Sequence, residues 1–170
     1  MTERRFQELV LEQKDRLFRY ALRIVGNEAE AEDVVQEVFI KLWNQRQYAD
    51  QIDNLEAWLT TLTRNQSIDK VRSKHRRTEP IDKRFDMKDA QISPHRQTEL
   101  NETLELVKTW IDELPPKQKE IMHLRDIEGL AYKEIAQMLG LTLDQVKVNL
   151  FRARQAIRQK MQQTEKWGLT

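Results

Sequence analysis

With 170 residues and no cysteine, the chain has room for one ordinary domain or two small ones, and neither disulfides nor thiolate metal sites can hold it together. Hydrophobic residues make up 39% and charged residues 34%, enough apolar matter for a core inside a densely ionic surface. The net charge of +1 gives by itself no reason to expect nucleic acid, and neither the charged opening MTERRFQELV nor any later stretch approaches the roughly 18 apolar residues of a membrane span, so a cytoplasmic protein is expected.

Phe6, Leu9, Val10, Leu17, Ala21, Leu22 and Val25 recur at helical spacing and predict an amphipathic helix over residues 5–25, stopped by Gly26. Asn27 followed by Glu30 resembles a capping box and opens a second helix of about five turns, with Val34, Val35, Val38, Phe39, Leu42 and Trp43 as its apolar stripe. After polar residues 44–54, Asp53 with Glu56 is placed to cap a third helix bearing Leu55, Trp58, Leu59, Leu62, Ile68 and Val71. The first module therefore spans residues 1–77. Over residues 78–92 the periodicity lapses, Pro80 appears and charges of both signs mix, which predicts a linker of about 15 residues.

The second module, residues 93–165, opens with Ser93 as N-cap and Pro94 as first helical position of a helix that turns Leu100, Leu104, Val107 and Ile111 toward a core. Pro115 and Pro116 end that helix and start another, which carries Ile121, Met122 and Leu124 and finishes by Gly129. Short helices follow over residues 132–139 and 143–163, parted by Gly140 and Leu141. With no strand pattern or repeat, the predicted fold class is all-α: two small helical domains joined by a flexible linker.

Charge is distributed more tellingly than it sums. Residues 28–37 carry Glu28, Glu30, Glu32, Asp33 and Glu37 with no base, whereas 70–77 carry Lys70, Arg72, Lys74, Arg76 and Arg77 with no acid. A second acid-free stretch, 145–163, holds Lys147, Arg152, Arg154, Arg158 and Lys160. It falls in a short helix, a tight glycine turn and a longer helix that Thr142 and Gln145 can cap, which is a helix-turn-helix. Ile135, Ala136, Leu139, Leu141, Val146 and Leu150 can pack the pair, leaving Gln145, Lys147, Val148, Asn149, Phe151, Arg152 and Arg154 as candidates for a DNA groove or backbone, though not all at once. An ordinary hairpin with a solvated basic face is the competing reading, and the absence of acids on the second helix favours DNA.

Enzymatic chemistry finds little support. The four glycines, at 26, 129, 140 and 168, form no phosphate-binding loop, and His75, His95 and His123 are scattered, His95 and Glu99 standing one turn apart with no third ligand or nucleophile. No metal, cofactor or catalytic residue is expected.

The second module resembles region 4 of sigma factors through LPPKQKEIMHLR at 114–125, EGLAYKEIA at 128–136, and Val146, Lys147, Arg152 and Arg154. The first is similar to their region 2 through DVVQEVF at 33–39, AWL at 57–59, Arg64, Asn65, Ile68 and Asp69, followed by the basic run at 70–77. Both motif sets in this order, separated by a linker of this length, look like the compact extracytoplasmic-function group of the sigma-70 family. Nothing between the modules resembles the region 3 domain of larger members, and no extended acidic leader precedes the first helix.

That resemblance implies a promoter-recognition subunit of bacterial RNA polymerase, directing transcription of a specific stress, envelope or uptake regulon, and implies no enzyme. Asp33, Gln36, Glu37 and Phe39 match the positions that dock on the clamp coiled coil of the largest polymerase subunit; the second module meets the flap of the second-largest subunit. Read without the resemblance, the acidic run either docks on a basic partner or merely complements a helix N-terminus. The loop at 45–54 with Trp58, Thr61, Arg64, Asn65 and Asp69 occupies the place where relatives capture flipped bases of the −10 element, and Lys70, Arg72, Lys74, Arg76 and Arg77 hold duplex phosphates. Stacking and hydrogen bonds worth roughly a few kcal/mol per extruded nucleotide offset the unstacking, so melting needs no fuel. Trp58 equally suits core packing.

Lys147, Val148, Phe151 and Arg152 match positions that meet the −35 element, Arg152 being the first choice for a base contact. Elements one and a half turns apart lie about 50 Å apart, within reach of about 15 extended residues. Ala131 and Gln145 depart from the Ser and Thr common in relatives, and Val148 and Asn149 from smaller or basic residues. An anti-sigma factor is the further expected partner, and the free chain is expected to be a monomer. A stand-alone helix-turn-helix regulator is the alternative; it leaves the acidic helix and the first basic helix without a joint purpose, and the chain shows no heptad seam for the dimer such regulators form.

Overall fold

The computed structural model describes the backbone of residues 1–78 and 99–166 and the side chains of 1–76 and 102–165. Two compact units result, Met1–Gln91 and Ile92–Thr170. The linker expected over 78–92, Thr78 excepted, and the helix start expected at Ser93 and Pro94 lie outside the described residues, as do His95 and the Leu100 side chain.

In the first unit, helix α1 (Glu3–Val25) starts where the Thr2 hydroxyl accepts from Arg5 N at 3.3 Å and stops at Gly26, whose φ of 70° is left-handed. Asn27 Oδ1 accepts from Glu30 N at 3.0 Å and starts α2 (Glu28–Asn44). Only half of the expected capping box forms, because the Glu30 carboxylate turns to Lys74. A 3-10 turn (Ala49–Gln51) leads to α3 (Leu55–Thr78). Its cap is Asn54 and not Asp53: Asn54 Oδ1 accepts from Ala57 N at 3.0 Å, one residue later than the sequence suggested, and Glu56 pairs instead with Gln13 Nε2 (3.2 Å).

The core of this unit joins Leu9, Leu17 and Ala21 of α1 with Ala31, Val34, Val35, Val38, Phe39 and Leu42 of α2 and Leu59 of α3. Helix α3 also buries Thr60, Thr63 and Ser67. Thr60 and Thr63 donate to the carbonyls of Glu56 and Leu59 on their own helix, each at 2.8 Å, so buried hydroxyls are satisfied locally. Thr60 Oγ1 also accepts from Arg16 Nη1 at 3.0 Å, and Arg16 Nε donates to the buried Gln13 at 2.9 Å.

The second unit contains α4 (Glu99–Asp112), α5 (Pro116–Met122), a π-turn (His123–Ile127), α6 (Tyr132–Leu139) and α7 (Leu143–Lys166). Helix α5 does not continue to Gly129. His123 O accepts from Glu128 N, an i+5 bond of 3.0 Å, and this wider turn buries His123 and Leu124 together while bringing Glu128 to 3.2 Å from His123 Nε2. Ile121, Leu130, Ile135, Val146, Leu150, Ala153 and Ile157 are buried, and Lys119 pairs with Asp112 at 2.7 Å. Leu104, expected in the core, is 53% exposed, because α4 meets the rest of its unit only toward its C-terminal end, where Trp110 and Ile111 pack on Leu114, Ala153 and Ile157.

Gly140 (φ 65°) makes the turn between α6 and α7; a Cβ there would meet nothing within 4 Å, so the position requires the backbone conformation and not the space. The box at the start of α7 is complete: Gln145 N donates to Thr142 Oγ1 (3.2 Å) and Thr142 N donates to Gln145 Oε1 (2.9 Å). Helix α6 has half of one, Ala131 N donating to Glu134 Oε2 (2.8 Å) while Ala131 offers no acceptor in return.

Two stability measurements follow from these caps. In denaturant unfolding, Asn54→Ala costs the first unit about 0.5–2 kcal/mol while Asp53→Ala stays within about 0.5 kcal/mol; equal losses would contradict the assignment. Ala131→Ser stabilises the second unit by about 0.5–2 kcal/mol by accepting from an orphan amide, and an unchanged melting midpoint would refute it.

Candidate functional sites

On α2 the apolar stripe faces inward and leaves Asp33, Gln36, Glu37 and Ile40 along the opposite side, within about 100° of one another at 100° per residue. Three of these were expected as docking residues; the fourth, Phe39, is turned toward the core. Its ring is 8% exposed and meets Phe6 edge-on at 6.4 Å, whereas Ile40 is 58% exposed beside a hollow of about 390 Å³ lined by Glu3, Phe6, Gln7, Phe39 and Trp43. The signal for Ile40 was present, since residue 40 stands seven past Asp33 and four past Gln36.

The acidic edge of α2 is engaged by α3 in a ladder. Glu30 meets Lys74 at 3.2 Å and Asp33 meets Lys70 at 3.1 Å. With its amide turned, Gln66 donates to Glu37 Oε2 at 3.1 Å and accepts from Lys41. Lys70 and Lys74 were expected on DNA phosphates; they point instead at α2, which leaves the exposed Arg72 and Arg76 as the described cations of that run. The Arg77 side chain lies outside the described residues.

Thr61, Asn65, Asp69, Arg72 and Arg76 follow one another at three- and four-residue steps and so share one face of α3, opposite Lys70. Thr61 Oγ1 donates to Ala57 O (2.8 Å), and Arg64 is half-buried. Trp58 is half-buried against the core of the unit, which favours packing over a free stacking platform. In the loop before α3, Arg46 lies 4.3 Å over the Trp43 ring and Tyr48 is exposed.

On α7, Lys147, Val148, Phe151 and Arg152 are exposed on the first turns, Val148 by 45% and Phe151 by 66%. The remaining three candidates have local duties. Gln145 closes the capping box, the Asn149 amide donates to Gln145 O (2.8 Å), and Arg154 Nε donates to Asp126 Oδ2 on the π-turn (3.2 Å) with Nη2 paired to the other oxygen. The hydrogen bonds it donates to Asp126, then the charge of that carboxylate, outweigh burial and hold the Arg154 guanidinium above its ordinary pKa. Asp126 was not singled out from sequence, because a tie across 28 positions leaves no periodic trace.

Phe39→Ala is expected to destabilise the first unit by about 3–5 kcal/mol and Ile40→Ala by less than about 0.5 kcal/mol in chemical unfolding. The reverse order would place Phe39 on the surface.

Residues 9–77 match the sigma-70 region 2 family and residues 104–157 match sigma-70 region 4. The ECF RNA polymerase sigma factor SigE of Mycolicibacterium smegmatis is 36% identical over 155 residues, covering 90% of this chain and 60% of that protein, so the chain spans less than two thirds of this relative. SigL of Mycobacterium tuberculosis, another ECF sigma factor, is 32% identical over 152 residues, 86% of this chain and 83% of the relative. The fold is shared with the sigma factor RpoE of Bartonella quintana, solved with the anti-sigma factor NepR: TM-score 0.70, 24% identity, 92% of this chain and 96% of that one. A region 2 unit followed by a region 4 unit, with relatives alike across both, places the chain in the extracytoplasmic-function group of the sigma-70 family.

Proposed function

We propose that the chain is a non-catalytic promoter-recognition subunit of bacterial RNA polymerase that docks through α2, engages the −10 element through α3 and its preceding loop, and engages the −35 element through α7. The observation that carries this reading is that one chain presents two outward faces that its hydrophobic cores leave exposed. One is acidic with an apolar anchor, Asp33, Gln36, Glu37 and Ile40; the other is basic with apolar anchors, Lys147, Val148, Phe151 and Arg152. A basic coiled coil on the polymerase clamp complements the first, and duplex DNA complements the second. Thr61, Asn65 and Asp69 supply hydrogen-bonding groups for extruded bases, with Arg72 and Arg76 on neighbouring phosphates along the same face. A stand-alone regulator would have no use for the α2 face, and the region 2 match over residues 9–77 weighs against it.

Such a subunit works in the cytoplasm; among the described residues no helix is long and apolar enough to cross a membrane. The Bartonella relative was solved with an anti-sigma factor, and a comparable partner for this chain would cover exposed apolar residues such as Ile40 and Leu104.

Size-exclusion chromatography with bacterial core polymerase at moderate salt tests docking. The wild-type chain should co-elute stoichiometrically, and a Glu37→Lys, Ile40→Ala variant should lose at least about thirtyfold in affinity, the effect of a hot-spot residue, while melting like the wild type. A wild-type chain that elutes alone yet binds DNA would return the stand-alone regulator to the lead.

A further inference from the structure

Along one flank of α7, Lys147, Phe151, Arg154 and Arg158 succeed one another at steps of four, three and four residues. With Tyr132 from the first turn of α6 they line a hollow of about 350 Å³, whose wall Leu150 and Gln155 complete. Three cations and a phenol thus border a hollow with no carboxylate in its lining.

The placement of Arg154 is fixed from behind. Asp126 accepts from both Nε and Nη2, which occupies two of the five guanidinium N–H groups and sets the plane of the fork. Tyr132 is fixed as well: Arg125 lies 4.8 Å over its ring and donates to Leu130 O at 2.8 Å. The π-turn therefore contributes both Arg125 and Asp126, one holding the tyrosine and the other the arginine.

We propose that this hollow seats one phosphodiester of the DNA backbone beside the groove that α7 reads, bound by Lys147, Arg154, Arg158 and the Tyr132 hydroxyl, with Asp126 as the positioning residue for Arg154. The proposal rests on the reading of the second unit as DNA-binding. Its chemistry is that of an anion with several acceptor oxygens, which a planar fork, two further cations and a hydroxyl can satisfy together. Of the two roles that sequence left open for Arg154, groove or backbone, it takes the backbone. The carboxylate of Asp126 is the unexpected part, since by charge alone an acid beside a phosphate weakens binding. Its presence is accounted for if orientation of Arg154 outweighs that repulsion.

The sign of one substitution separates the two effects. The full-length chain is titrated into a short labelled duplex of arbitrary sequence over a series of KCl concentrations, with fluorescence anisotropy as readout. Arg158→Gln should reduce the magnitude of the slope of log K against log salt by about 0.9, the signature of one lost phosphate contact. Tyr132→Phe keeps the ring under Arg125 and should weaken binding several-fold with little change in slope. Asp126→Asn should weaken binding and flatten the slope although it removes a negative charge, and Asp126→Glu should restore both. Tighter binding with a steeper slope for Asp126→Asn would overturn the positioning role. An unchanged slope in Arg158→Gln and an unchanged affinity in Tyr132→Phe, in proteins that melt like the wild type, would overturn the seat, and these two variants decide the matter should Asp126→Asn fail to fold. A wild-type chain that binds no duplex even at low salt would remove the DNA-binding reading itself.

Discussion

What the first unit can offer to partners depends on how closely α3 approaches α1 and α2. Thr60, Thr63 and Ser67 are fully buried where larger apolar residues would hold the helices apart. Small side chains permit the approach at little cost where their hydroxyls are satisfied, as Thr60 and Thr63 are on the helix's own carbonyls at 2.8 Å; the buried Ser67 hydroxyl has no such partner among the described residues. The approach brings Lys70 and Lys74 within 3.1 and 3.2 Å of Asp33 and Glu30. Such partly exposed pairs are each worth no more than about 1 kcal/mol, so they fix the register of two helices that packing already holds together. Register matters because the outward residues of α2 proposed for docking and the face of α3 proposed for DNA are then rigidly related.

The second unit secures its exposed helix by different means. Gly140 and the reciprocal Thr142 and Gln145 bonds set where α7 begins and therefore which of its residues face outward. Val146, Leu150, Ala153 and Ile157 are buried at steps of four, three and four, which turns Val148, Phe151 and Arg152 away from the core. Two exposed apolar side chains on a folded unit cost solubility and return nothing to stability; on a helix offered to the major groove they are available to meet base edges.

Much of this was legible in the sequence, for reasons that can be named. The helices of both units follow from three- and four-residue apolar spacing, and the bounds of α6 were read as they stand because Gly140 and the residues flanking it are unambiguous stop and start signals. Asn54 rather than Asp53 caps α3 because capping depends on a one-residue phase that two adjacent acceptors cannot disclose. The π-turn was missed since an i+5 bond leaves no compositional mark. Among the expected docking residues, Asp33, Gln36 and Glu37 face outward while Phe39 is buried, a difference that spacing shows and a motif match does not. Lys70 and Lys74 turn to α2: a basic run looks uniform in sequence, but a helix sends successive members to different neighbours.

That last point bears on how charge in this chain should be counted. The acidic run of α2 and the basic run of α3 suggest separate binding surfaces when each is read alone, yet they cancel in part against one another across the helix contact. Arg154 with Asp126 and Lys160 with Glu113 show the same economy in the second unit. A net charge of +1 thus hides internally matched pairs beside exposed cations such as Arg72 and Arg76 on one unit and Lys147, Arg152 and Arg158 on the other. A few cations on each unit grip phosphates less tightly than two uncompensated basic runs would, because each phosphate contact adds separately to affinity and to its salt dependence. In the proposed promoter-recognition role, modest backbone attraction spread over two units would leave promoter choice to the contacts with bases and make simultaneous engagement of both elements the condition for tight binding.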